Sequence, residues 1–137
     1  MKKRVLFLCT HNSCRSQMAE GLINHFLGDR YKAFSAGTEA TRVNPRAITV
    51  LQELGIDISG QRSKTLDEFA AERFDYVITL CGDAHERCPL FFGGVERLHI
   101  GFHDPTGAGG NEEEILAQFR RVRDDIKATL VEYLGGK

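Results

Sequence analysis

Residues 5–16 read VLFLCTHNSCRS, and their order decides the fold. Four consecutive apolar residues, Val5 to Leu8, suit a strand covered on both faces. A polar loop follows, with Cys9, five further residues, Arg15 and Ser16. Beyond it Met18, Leu22, Ile23, Phe26 and Leu27 recur at helical spacing, and Gly28 can end that helix. In a strand, tight loop and helix, the loop amides converge on one point and the helix N-terminus adds partial positive charge, which together hold an anion. Arg15 can clamp two oxygens of a tetrahedral anion with its planar fork. Cys9 lies at the mouth of that field, which favours its thiolate and makes it a nucleophile, and Ser16 can donate a hydrogen bond to the same sulfur. The loop alone leaves three chemistries open: cleavage of a phosphate ester, redox chemistry on a phosphate-like anion, or simple retention of one.

Outward from this stretch the pattern continues. Tyr31 to Ala36 reads as a second strand closed by Gly37, and Asn44-Pro45 opens a helix with Ile48, Leu51 and Leu54 on one face, stopped by Gly55. A third helical segment is expected over Thr65 to Glu72, with strands at Asp75 to Leu80 and Val95 to Ile100. Asn111 caps the last helix, Glu112, Glu113 and Glu114 favour its positive end, and Ile115, Phe119, Val122, Ile126 and Leu130 form its buried stripe. Strands alternating with helices predict an α/β fold, a four-stranded parallel sheet flanked by helices, in one domain over residues 1–137. The stretch TGAGG at 106–110 reads as the one flexible segment, a loop able to move near a site.

A net charge of −1 argues against broad binding to nucleic acid or to an anionic membrane surface, so any anion specificity must be local. The start MKKRVLFLC has basic residues, an apolar run and a cysteine, but VLFL falls short of the roughly 7–15 apolar residues of a signal peptide. No segment approaches the roughly 20 of a membrane span, so a cytoplasmic protein is expected. Cys9, Cys14, Cys81 and Cys88 are too few and too unevenly placed for a secreted disulfide scaffold. Their internal gaps of four and six residues do not match zinc knuckles, so neither metal nor cofactor is expected.

VLFLCTHNSCRSQMAEG resembles the low-molecular-weight protein tyrosine phosphatase fold family, and more closely its arsenate reductase branch. The resemblance continues in order through SAGTEA, NPRAI, GIDIS, VITLCGDAHERCP, GFHDPTG and FRRVRDDI. It implies a nucleophilic Cys9, an oxyanion cradle formed by Thr10, His11, Asn12, Ser13, Cys14, Arg15 and Ser16, and Asp104 of the Asp104-Pro105 pair as general acid. A phosphatase would finish with water, whereas a reductase needs a second thiol to attack the Cys9 sulfur. Cys81 follows the strand DYVITL and so leaves the sheet on the edge that carries the Cys9 loop. Cys88 could then take over the disulfide, in a segment, CGDAHERC, that is polar and followed by Pro89. The resemblance implies arsenate as substrate, arsenite as product and thioredoxin as electron donor, with glutaredoxin second, acting on a monomer. Residues 106–110 offer nothing for a tyrosine ring to stack on, and Gln17 stands where the phosphatase branch usually has proline; both favour the reductase over a phosphatase. A non-enzymatic oxyanion or redox sensor would need an effector surface that the sequence does not supply.

Some reductases of this family bind potassium behind the loop through an asparagine, a glutamate, a serine and an aspartate. The corresponding positions here are Asn12, Glu20, Ser35 and Lys64, so a lysine stands in place of the aspartate. Its ammonium is expected to replace the ion by pairing with Glu20. Cys14 is read as a packing residue, His11 as a residue of the surface or the loop rim, and His99 with His103 as unsuited to a metal.

Overall fold

The structure is a computed structural model that describes residues 2–69, 71–80 and 96–137. Four strands, β1 (Lys3–Cys9), β2 (Tyr31–Gly37), β3 (Tyr76–Thr79) and β4 (Glu96–His99), form one sheet in the order β2-β1-β3-β4. Every pairing is parallel. Among the described residues three α-helices accompany them: α1 (Arg15–Phe26), α2 (Pro45–Gln52) and α3 (Glu112–Gly135). The four-stranded parallel sheet flanked by helices is thus present.

Alternation along β1 explains why VLFL is apolar throughout. Val5 and Phe7 face a core with Met18, Leu22 and Ile23 of α1, Val50 and Leu51 of α2, and Phe119, Val122 and Ile126 of α3. Leu6 and Leu8 face the other way, into a cluster with Leu66, Phe69, Phe74 and Val77. Both faces exclude water, as continuous hydrophobic strands require. Asn44 caps α2, its side chain accepting from the Arg46 amide at 2.8 Å. Asn111 and Glu114 make a reciprocal capping box at the start of α3. The far end of α3 is held by Tyr31, whose hydroxyl donates to the Leu134 carbonyl at 2.7 Å.

The helical segment expected over Thr65 to Glu72 is a single 3-10 turn, Leu66–Phe69. Thr65 is drawn into a parallel bridge with Gly37, and Leu66 and Phe69 are both buried on the short spacing of a 3-10 turn. The strand expected over Asp75 to Leu80 is Tyr76–Thr79, with Asp75 at its entry taking the Arg4 amide on its carboxylate at 2.8 Å while its own amide donates to Arg4 O at 2.8 Å. Among the described residues no helix is long and apolar enough to cross a membrane.

Candidate active site

β1 lies between β2 and β3, so its carboxyl end opens at the point where the chain connections diverge to opposite sides, where parallel α/β sheets bind ligands. Cys9, its last residue, is buried and in register with Gly37, the last residue of β2. The loop then turns through Asn12, which holds a left-handed φ of 50°. An asparagine tolerates that conformation better than most side chains.

The loop's shape follows from where its carbonyls go. Thr10 O accepts from the Glu39 amide at 2.9 Å and the Thr38 hydroxyl at 3.2 Å. His11 O accepts from the Ser63 hydroxyl at 2.9 Å, Asn12 O from Gln17 Nε2 at 3.0 Å, and Ser13 O from the Asn44 amide at 2.9 Å. Four successive carbonyls are thus tied to the surrounding scaffold. In a trans peptide the next N–H points opposite to the carbonyl, so the amides of His11, Asn12, Ser13 and Cys14 are directed away from these anchors. Gly37 makes the approach possible. A Cβ there would lie 2.7 Å from Thr10 O, 2.7 Å from Glu39 O and 2.8 Å from Asn12 N, all backbone atoms.

Arg15 opens α1 with its side chain only 11% exposed. One guanidinium nitrogen donates to Phe102 O at 3.1 Å and another lies 3.5 Å from Asp104 Oδ2. Its Nε is buried with no hydrogen-bond partner among the described residues, an N–H left for an acceptor. Asp104 Oδ1 accepts from the Thr106 amide at 3.0 Å and hydroxyl at 2.7 Å. Partial burial pushes the Asp104 carboxyl upward, but the Thr106 bonds, Arg15 and His103 outweigh it and hold the group below its ordinary value. An open cleft of about 360 Å³ adjoins Asp104, lined by His103, Gly107, Ala108, Gly109, Glu114 and Gln118, with no phenylalanine, tyrosine or tryptophan in its lining among the described residues.

Residues 4–136 match the low molecular weight phosphotyrosine protein phosphatase family. The chain belongs to this family. Within the phosphatase family it is similar to the arsenate reductase of Bacillus subtilis strain 168, at 51% identity over 96% of this chain and 94% of the relative. It is also similar to the arsenate reductase of Halalkalibacterium halodurans, at 53% identity over 91% of this chain and 90% of the relative. The solved structure of an arsenate reductase in the phosphate binding state superposes with a TM-score of 0.82 at 39% identity, covering 98% of this chain and 96% of that one.

The structure joins the loop residues Cys9 to Ser16 with Asp104, which comes from a part of the chain some ninety residues away. Cys14 is buried, and burial together with the nearby Asp104 charge pushes its thiol up to about 12, so it stays protonated. His11 sits at the exposed rim with Nε2 3.2 Å from Glu39 Oε2. His99 Nδ1 meets the Thr79 hydroxyl at 2.9 Å, and His103 lines the cleft; no cluster of three metal-ligating side chains exists among the described residues. Asn12, Glu20, Ser35 and Lys64 are linked behind the loop. The Ser35 hydroxyl donates to Glu20 Oε1 at 2.5 Å, Lys64 Nζ lies 3.7 Å from the same oxygen, and the Lys64 amide donates to Asn12 Oδ1 at 2.9 Å. Burial pushes the Glu20 carboxyl up and the Lys64 ammonium down, each shift partly offset by the other's charge. Cys81 and Cys88 lie outside the described residues. Leu80, the last residue described before them, donates to Leu8 O at 2.8 Å and accepts from the Phe102 amide at 3.1 Å.

The sequence does not show Thr38, Glu39, Ser63 and Asn44 as anchors of the loop, nor the part of the Gln61 side chain, although Asn44 is legible as a helix start. No local signal ties them to the loop, since each meets it only through the fold. Gln17 was noticed for its position, not for its contacts.

Proposed function

We propose that this protein reduces arsenate to arsenite. Its similarity to arsenate reductases over nearly the whole chain carries the reading, and a buried Arg15 Nε with no partner among the described residues, beside the anchored loop, supports it. The inward amides of the Thr10–Ser16 loop and the Arg15 fork hold the oxyanion. Cys9 thiolate attacks arsenic, and one arsenate oxygen leaves as water after taking a proton from Asp104. The bound anion takes over Arg15 and repels the Asp104 carboxylate, and both effects raise the affinity of Asp104 for the proton it delivers.

Cys81 thiolate then attacks the Cys9 sulfur. The arsenic–sulfur electron pair stays with arsenic, which departs as arsenite, and a Cys9–Cys81 disulfide remains. Cys88 attacks Cys81, releasing Cys9 and leaving a Cys81–Cys88 disulfide, which the two thiols of thioredoxin reduce. The protein acts as a cytoplasmic monomer of one domain. Behind the loop the Lys64 ammonium takes the place of a potassium ion beside Glu20, while the Lys64 backbone amide holds Asn12.

The test is arsenate-dependent oxidation of NADPH coupled through thioredoxin and thioredoxin reductase, beside hydrolysis of p-nitrophenyl phosphate. Arsenate should drive steady oxidation, and Cys88→Ser should allow one round and no more. Sustained turnover by that variant would sink the three-cysteine relay, and brisk ester hydrolysis with no arsenate-dependent oxidation would favour a phosphatase.

A further inference from the structure

Gln17 is wholly buried at the start of α1. Its Nε2 lies 3.0 Å from Asn12 O, 2.9 Å from Asn12 Oδ1 and 3.0 Å from Arg62 O. Backbone carbonyls only accept, so the nitrogen must face them and the amide cannot be reversed. Its Oε1 accepts from Gln61 Nε2 at 2.7 Å, and the same Gln61 nitrogen lies 3.1 Å from Gln17 O. Asn12 is fixed by the same logic: Oδ1 meets two donors, Gln17 Nε2 and the Lys64 amide, so Nδ2 is the atom that donates to Ser16 Oγ at 2.8 Å. Ser16 accepts in that bond, which leaves its own proton for another acceptor.

Every donor in this series points the same way, from Gln61 to Gln17, to Asn12, to Ser16. Aligned hydrogen bonds polarise one another, so the positive ends accumulate at the last member. We propose that Gln17 is a positioning residue for the nucleophile, passing hydrogen-bond polarity from Gln61 through Asn12 and Ser16 toward the Cys9 sulfur. One Gln17 nitrogen brackets both the backbone and the side-chain oxygen of Asn12, and so also fixes the left-handed residue on which the loop turns.

The inference rests on Cys9 being the nucleophile, but its test needs neither arsenate nor a reductant. The rate of Cys9 alkylation by iodoacetamide is followed against pH in Gln17→Met and Gln61→Met, using the Cys9 peptide in a mass spectrometer, with circular dichroism confirming the fold. The alkylation midpoint should rise by about 0.5–1 pH unit in each, a roughly three- to tenfold loss of thiolate below the midpoint. A purely structural role would lower the melting temperature and leave that midpoint in place. The two losses lie in series, so the double variant should shift no further than Gln17→Met alone. An unchanged midpoint in either folded variant overturns the proposal, as does a double variant whose shifts add. If Gln17→Met does not fold, Gln61→Met, whose side chain is partly exposed, decides it alone. A shifted midpoint supports the relay even in a protein that turns over no arsenate.

Discussion

Replacing Lys64 with methionine tests how the back of the loop is held. The Lys64 and Glu20 side chains are 10% and 15% exposed, with 3.7 Å between Nζ and Oε1. At an effective dielectric of about 20 their attraction is roughly 4.5 kcal/mol, set against the cost of burying both charges. Removing the ammonium leaves Glu20 with neutral donors from Ser35 and no countercharge, and breaking a buried pair in this way costs about 3–5 kcal/mol. Glu20 can limit the loss by taking a proton. Starting from its ordinary value of 4.5, that costs about 3.4 kcal/mol at pH 7 and about 2 kcal/mol at pH 6. The sign follows. A folded variant that holds a proton the unfolded chain releases loses stability as pH rises above the ordinary glutamate value. Urea unfolding should therefore show Lys64→Met less stable than the parent by about 3 kcal/mol at pH 7 and about 2 kcal/mol at pH 6. Adding Glu20→Gln should restore stability to within about 1 kcal/mol of the parent. A loss under about 1 kcal/mol at pH 7, or one that does not change between pH 6 and 7, would refute the coupling.

Gly37→Ala should force the loop from its anchors, costing about 1–3 kcal/mol in thermal unfolding and most of the protection that phosphate gives Cys9 against alkylation; normal protection would contradict the close approach. Asp104→Asn should lower the rate of arsenate reduction about 10²–10⁴-fold in the coupled assay, and a smaller drop would remove Asp104 as the acid. Thr106→Val deletes one of the bonds that depress the Asp104 pKa, so the high-pH decline of kcat/KM should move upward; a downward shift would be inconsistent with this. Exchanging potassium for sodium at constant ionic strength should leave reduction unchanged, whereas marked stimulation by potassium would exclude Lys64 as the substitute for the ion.

Much of this was legible in the chain. VLFL announced a strand buried on both faces, and the spacing from Cys9 to Arg15 announced a loop at a helix N-terminus. Asn44-Pro45 and Asn111 marked helix starts through local capping chemistry, which needs no knowledge of the fold. The segment after Thr65 was misjudged because its length is set by tertiary pairing with Gly37, a contact twenty-eight residues away. The loop's anchors are hidden for the same reason: Ser63 is an ordinary polar residue, and Asn44 only a helix cap, until the fold brings them under His11 and Ser13. Gln17 shows the limit most clearly, since its neighbours Ser16 and Met18 gave no hint that its amide would bridge Asn12 and Gln61.

The register of β1 against β2 pairs Cys9 with Gly37 and Leu8 with Ala36. A slip of one residue would set the Ala36 methyl beneath the loop, where a Cβ has no room, and would turn Leu6 and Leu8 to the opposite face. The accuracy with which two strands align is therefore a parameter of reactivity as well as of folding. Substitutions deep in the sheet, far from any oxyanion, can then surface as a dulled thiol in a protein that still melts cooperatively. Screens that sort variants by solubility alone would pass them as sound.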